Sequence, residues 1–211
     1  MIRYDKLAET EFPIHDVIRR RWSPRAFSDT PVATAMLGSL LEAARWAASS
    51  SNEQPWRFIV ATKARTEEFA ALLACLAPGN QVWAQQASVL ILTVAKRHFD
   101  DGTENRHAWY DVGQAAAHLA IQATAMGLMV HQMAGFASDK AREAFGIPDG
   151  FDPVTAIAVG YQGEVEALPE RLQKRERAPR SRVALDAIAS FGRWGQALPF
   201  APDAKTAPPG A

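Results

Sequence analysis

Trp109-Tyr110-Asp111-Val112-Gly113-Gln114-Ala115-Ala116-Ala117-His118-Leu119-Ala120-Ile121-Gln122-Ala123-Thr124-Ala125-Met126 decides the fold of this chain. The run is apolar almost all round and free of proline, and six alanines make it slim (115, 116, 117, 120, 123 and 125). Such a pattern predicts a long helix packed closely on more than one side. Gly127 follows at the C-cap position. His118, inside the apolar run, reads as a hydrogen-bonded core histidine and not as a base. A chain of 211 residues has little to cover such a helix with, so a second copy is expected to supply part of the cover.

The neighbouring segments complete a sheet. Val89–Ala95 is an unbroken apolar run of the kind buried on both faces of a sheet. Trp56–Thr62, Leu128–Met133 and Pro153–Tyr161 read as further strands. Helical spacing predicts Thr34–Ala48, Arg65–Leu76 closed by Pro78-Gly79, and a short helix to Phe145 capped by Ser138. A first helical segment around Ile14, Val17 and Ile18 breaks at Ser23-Pro24. Helices and strands alternate loosely, which gives an α/β or α+β sheet covered by helices. Residues 1–198 form one domain, although the chain beyond Gly163 is charged and poorly periodic. Residues 199–211 read as a Pro/Ala-rich tail.

Composition narrows the function. Lys+Arg and Asp+Glu number 23 each, so the formal net charge is zero, against the basic surplus of a general nucleic-acid binder. Locally the charge is uneven. Arg19, Arg20, Arg21 and Arg25 crowd one stretch, and Arg171, Lys174, Arg175, Arg177, Arg180 and Arg182 crowd another. A single cysteine, Cys75, excludes an intramolecular disulfide. Met1–Asp5 lacks the apolar core of a signal peptide, and no run approaches the length of a membrane span, so a cytoplasmic protein is expected.

Several chemistries have no motif here: no P-loop, no G-x-G-x-x-G, no H-E-x-x-H and no G-x-S-x-G. The loop holding His98, Asp100, Asp101, Glu104 and His107 repeats no metal-ligand spacing and reads as solvated, with no metal expected. Two stretches do carry chemistry. Arg21-Trp22-Ser23-Pro24-Arg25 is either a guanidinium fork for a phosphate or planar anion, or a basic helix end offsetting the helix dipole. Ser49-Ser50-Ser51-Asn52-Glu53-Gln54-Pro55-Trp56 offers hydroxyls and amides suited to the edge of a heterocycle, or is a helix stop and turn.

Arg21-x-Ser23-x-Arg25-x-Phe27 and Ser50-Ser51-Asn52-x-Gln54-Pro55-Trp56 resemble the N-terminal signatures of the FMN-dependent nitroreductase family. The resemblance continues through Asn80, Asp111-x-Gly113, Met126-Gly127-Leu128, Ala134-Gly135-Phe136 and Pro179-Arg180-Ser181-Arg182, so it spans Ile18 to Arg182 in order. It implies an α+β nitroreductase-like fold: a central, mostly antiparallel sheet flanked by helices, with a long buried central helix, in an intertwined homodimer. It also implies FMN at the subunit interface, with NADPH or NADH as electron donor. Arg21, Trp22, Ser23 and Arg25 would wrap the phosphate, ribityl chain and pyrimidine edge, with Arg25 nearest the flavin N1/O2 region. Asn80 would bond the pyrimidine edge. Ser49, Ser50, Ser51, Asn52 and Gln54 would line the pocket, mainly from the partner subunit. Gln132, Met133, Ala134 and Gly135 would lie along the isoalloxazine, with the Gly135 N–H near N5, and Arg180 and Arg182 would close on the phosphate.

Two positions depart from the pattern. Ala134 stands where many relatives have an acidic residue, and Trp83 where many have lysine. The segment 96–109 is also short beside the long helices some relatives use to cover substrate, which implies an open or differently covered pocket. The implied activity is ping-pong hydride transfer through flavin N5 to a nitroaromatic, quinone or enone, with no side-chain nucleophile. Trp83, Trp109, Tyr110, His131 and Phe136 could line the substrate pocket, although aromatic residues in such places more often belong to the core. The alternatives are a flavin enzyme of the same fold with dehalogenase-like or flavin-consuming chemistry, and a non-enzymatic binding protein using segment 171–182.

Overall fold

The computed structural model describes residues 6–199. The expected tail at 199–211 and the Met1–Asp5 stretch therefore lie, but for Pro199, outside the described residues.

Four strands make the sheet: β1 (Trp56–Thr62), β2 (Val89–Lys96), β3 (Met129–Met133) and β4 (Phe151–Gly160). Their order is β1-β2-β4-β3, and every neighbouring pair is antiparallel. β2 lies centrally between β1 and β4, as its apolar sequence predicts, and is buried from Val89 to Ala95. Its side chains alternate. Leu90, Leu92 and Val94 join one core layer, while Val89, Ile91 and Ala95 join the other.

The helices follow in chain order: α1 (Asp16–Arg20), α2 (Thr34–Arg45), α3 (Thr66–Cys75), α4 (Pro78–Ala84), α5 (Ala108–Ala125), α6 (Ser138–Phe145) and α7 (Glu170–Arg177). Helices α2 and α5 cover one face of the sheet through Leu40, Ala44, Val112, Ala115, Ala116, Leu119 and Ala123. Helices α3, α4 and α6 cover the other through Phe69, Leu72, Trp83 and Ala141.

The structure revises several expectations. Pro78-Gly79 does not close a helix; Pro78 opens α4 at a position where its missing N–H costs nothing. Ser138 is the first residue of α6, and Ala137, with no side-chain hydrogen bond, stands at its cap. The charged stretch after Gly163 contains α7, whose inward face is Leu172 and Glu176. His118 is exposed and is no core histidine, because it lies opposite the buried α5 face. That outer face also carries Trp109, Tyr110, Gly113 and Ala117, all exposed within the single chain. Among the described residues, no helix is long and apolar enough to cross a membrane.

Candidate functional site

Residues 21–26 leave α1 as irregular backbone, and partners from distant parts of the chain hold them. The Glu176 carboxylate on α7 accepts the Arg25 N–H at 2.8 Å and the Ala26 N–H at 3.0 Å. His131 on β3 bonds the Pro24 carbonyl through Nδ1 at 2.8 Å. A carbonyl only accepts, so Nδ1 is the protonated nitrogen of the neutral ring. Arg180 donates to the carbonyls of Lys6, Arg19 and Arg21. Lys6 Nζ donates to the Glu176 carbonyl at 2.7 Å and lies 4.8 Å from the Trp22 ring centroid. Next to this loop, Gly163 N donates to Ala26 O at 2.9 Å, and Ser28 N donates to Tyr161 O at 2.9 Å.

These contacts bring the two basic clusters together. Arg21, Arg180 and Arg182 line one cavity of 220 Å³ with Thr10, Ile14 and Ile18. Burial, and then the charge of Arg182, lowers the Arg21 pKa from its ordinary value. Among the described residues, neither Arg21 nor Arg182 forms an ion pair, and the Arg21 guanidinium donates to Ser23 Oγ at 3.3 Å. Exposed Glu9 also lines the cavity but pairs with neither cation, and two unpaired guanidinium groups suit an anion of small size and high charge. Arg25 is also half-buried, and burial lowers its pKa while Glu176 opposes the shift. Other cations of the clusters have local partners: Arg20 with Asp16, Lys174 with Glu170, and Arg177 with Glu166.

A second group lies along β3 and α4. Asn80 Nδ2 donates to Gly135 O at 3.0 Å, and Ala77 N donates to the same carbonyl at 2.9 Å. A Cβ on residue 135 would stand 2.9 Å from Asn80 Nδ2, so a side chain there would push the Asn80 amide away from the Gly135 carbonyl. Gln132 and Ala134 are exposed, whereas Met133 between them is buried in the core. Trp22 is buried too, at 7% exposure. Trp83 is no pocket residue. It is 1% exposed, stacked 6.1 Å from Phe27 and 4.5 Å from the His131 ring, in the core beneath the loop.

The third group, Ser49–Gln54, is held by other elements. Ser50 N donates to the buried Asp111 carboxylate at the start of α5 (3.1 Å), and Gln54 N donates to Ser49 Oγ (3.0 Å). Lys96 at the end of β2 pairs with Glu53 at 2.8 Å. These bonds fix Ser51, Asn52 and Gln54 at φ of 53°, 56° and 50°, left-handed backbone that costs a non-glycine residue about 1 kcal/mol each. Strain of this kind collects where a loop must present its groups in one arrangement. None of these bonds comes from the Arg21–Arg25 loop or from β3. Among the described residues, no three His, Cys, Asp or Glu lie close enough to hold a metal ion.

A family model, the Nitroreductase family, matches residues 18–161. The chain belongs to the nitroreductase family. Across 149 residues it is 40% identical to an uncharacterized 15.4 kDa protein of Mycolicibacterium smegmatis, covering 67% of this chain and 99% of that one. A Stenotrophomonas maltophilia protein with the provisional name NADH dehydrogenase/NAD(P)H nitroreductase is 27% identical over 190 residues, 81% of this chain and 95% of its own. Among solved structures, an oxidoreductase containing FMN aligns with a TM-score of 0.85 at 37% identity, covering 89% of this chain and 96% of that chain. A nitroreductase family protein from Clostridium difficile 630 aligns at 0.66 and 27%, covering 84% and 96%.

In this family member, Lys6 and Glu176 shape the site without standing out in the sequence, while Asp111 and His131 take holding roles that their motif and pocket readings did not specify. Glu176 did leave a trace. It lies four residues after Leu172, so on a helix the two share the inward face. His131 has a pH consequence. Burial first, and Arg25 to a lesser degree, push its pKa down to about 4, against the opposing Pro24 hydrogen bond. The unfolded ring takes up a proton as pH falls below 6.5, while the folded ring stays neutral to about 4. Stability from this residue is therefore complete above 6.5 and falls between 6.5 and 4. We expect His131→Gln to flatten that part of the urea-midpoint profile; parallel profiles for the two proteins would reject the assignment.

Proposed function

We propose that the protein is an FMN-dependent oxidoreductase that takes reducing equivalents from NADH or NADPH and delivers them to a small organic acceptor, a nitroaromatic, quinone or enone, in a ping-pong cycle. One observation carries this reading: Arg21 and Arg182, from the two basic clusters, face one cavity and form no ion pair among the described residues, Glu9 at the cavity's exposed rim included. The site therefore fits a phosphate. The Asn80–Gly135 pair and the exposed residues Gln132 and Ala134 fit the edge of a flat heterocycle. The FMN content of the oxidoreductase aligned at 37% identity supports the cofactor, and the name of the Stenotrophomonas relative supports the donor.

Bound FMN would supply the hydride relay at N5; the protein supplies position and charge. Arg21, Ser23 and Arg182 would hold the phosphate, with Arg180 keeping the carbonyls of residues 19 and 21 in place behind it. Arg25 would set a fixed cation beside N1/O2, where negative charge develops on reduction. Ser49, Ser50, Ser51, Asn52 and Gln54 would complete the pocket from the partner of a homodimer. Exposed apolar side chains on each chain support that assembly: Trp109 (53%) and Tyr110 (68%) on α5, and Phe191 (58%) and Trp194 (100%) near the end of the described chain.

The test is spectroscopic and kinetic. Purified protein is expected to be yellow and to oxidise NADH or NADPH in the presence of a quinone or nitroaromatic. Colourless protein that takes up no added FMN would end the flavin reading; a flavin-loaded protein inert with every such acceptor would favour the dehalogenase-like or flavin-consuming alternative. In the loaded protein, Arg25→Ala is expected to lower the flavin midpoint potential. An unchanged potential would leave Arg25 with phosphate anchoring alone.

A further inference from the structure

We propose that Glu176 is the positioning residue of the anion site: its buried carboxylate holds the Arg25 and Ala26 amides and so keeps the Arg21–Arg25 loop in its ligand-receiving shape. The proposal rests on the flavin reading for the identity of the ligand, but the positioning itself does not.

Residues 21–26 have no helix or strand ladder of their own, so each polar backbone group needs an outside partner. Pro24 has no N–H, and its carbonyl goes to His131. The next two N–H groups, Arg25 and Ala26, both go to Glu176. Arg25 N lies 2.8 Å from Oε1 and 3.0 Å from Oε2, and Ala26 N lies 3.0 Å from Oε1. Glu176 is only 1% exposed, so these donors stand in for the water it has lost. Lys6 bonds the carbonyls of Glu176 and Ala178, which places its positive charge beside the carboxylate. One turn further on, Arg180 grips the carbonyls of residues 19 and 21. Helix α7 and the residues after it thus clamp the loop from behind at both ends.

A carboxylate suits this task better than an amide. Two N–H donors converge on it, and a carboxylate presents acceptors only, whereas glutamine would turn one NH₂ toward a donor or leave it idle. Charge alone argues the other way. A buried negative group beside Arg25, in the loop that carries the site, weakens the attraction for an anion, so its presence there is explained by geometry. The two effects predict opposite signs. If Glu176 acted only through its charge, Glu176→Gln would tighten FMN; as a positioning residue, its loss must weaken FMN.

Two measurements on wild type, Glu176→Gln and Glu176→Asp decide. The first is hydrogen exchange of the Arg25 and Ala26 amides in the purified proteins. Exchange is expected to be roughly 10-fold or more faster in Glu176→Gln, with β2 amides unaffected. The second is FMN affinity by flavin fluorescence, expected to fall roughly 10-fold in Glu176→Gln. Glu176→Asp keeps the charge but withdraws it by one methylene; it should weaken FMN as well, and it carries the test if Glu176→Gln fails to fold. Unchanged exchange at residues 25 and 26 in a folded variant, or FMN affinity equal to or tighter than wild type, would overturn the proposal. A wild-type protein that binds no FMN would refute the flavin reading, and the exchange rates alone would then settle whether Glu176 positions the loop.

Discussion

Replacing Arg21 with alanine is expected to weaken FMN binding roughly 100-fold, the scale of losing one partner from a partly buried, charge-assisted pair. Riboflavin, which lacks the phosphate, should bind wild type and variant within about 3-fold of each other. The specificity of the effect follows from where Arg21 sits. Its guanidinium faces the 220 Å³ cavity with Arg182, and its one side-chain hydrogen bond among the described residues is the long contact to Ser23 Oγ. Removing it takes away little folding energy and much local positive charge. Arg182→Ala should act in the same direction but less strongly, because Arg182 is exposed and Arg21 half-buried, and solvent screens an exposed cation more. Fluorescence titration of flavin-free protein with both flavins gives the two affinities. Equal losses for FMN and riboflavin would place Arg21 away from the phosphate.

The largest effect on stability is expected at Gly163, where alanine should cost about 3 kcal/mol. A Cβ there would collide with the carbonyl carbon and oxygen of Phe27 and stand 2.9 Å from Ser28 N. Backbone meets backbone at this point, so no side chain can rotate out of the way. The strands of residues 26–28 and 161–163 would have to part, although the Gly163–Ala26 and Ser28–Tyr161 hydrogen bonds hold them at 2.9 Å. Because residues 26–28 continue directly from the Arg21–Arg25 loop, FMN affinity should fall together with stability. Gly38→Ala is the contrast: a Cβ at 38 meets nothing within 4 Å, and in the exposed interior of α2 alanine should be neutral or stabilising. Urea unfolding of both variants makes the comparison. A Gly163→Ala loss below about 1 kcal/mol would mean that the two segments separate easily.

Much of the architecture was legible because it rests on periodicity. Val89–Ala95 announced a central strand by having no polar position, and Ala108–Ala125 announced a slim helix by its alanines. The motifs Arg21-x-Ser23-x-Arg25, Asn80 and Ala134-Gly135-Phe136 were legible as a family pattern, and the chain is a member of that family. What stayed hidden had a common cause. Helix α7 is rich in charge, and only Leu172 and Glu176 face inward, too few to make a periodic signal over eight residues. Trp83 carried both a pocket and a core reading, and its packing between Phe27 and His131 decides for the core, where a large aromatic ring is worth more than beside solvent.

The amino-acid sequence by itself determined the sheet, the long α5 helix, the family and the presence of two basic clusters in a chain of zero net charge. These depend on residue type and spacing within short windows. Only the tertiary structure decided how those clusters divide. Arg21 and Arg182 face one cavity, while Arg180 turns back onto backbone carbonyls. Arg20, Lys174 and Arg177 pair locally with Asp16, Glu170 and Glu166, while the Glu176 carboxylate, set among those cations, goes inward to hold the loop. The physical reason is that a charge commits to whichever partner the fold brings near, and for Glu176 and Arg180 those partners lie 150 residues or more away along the chain.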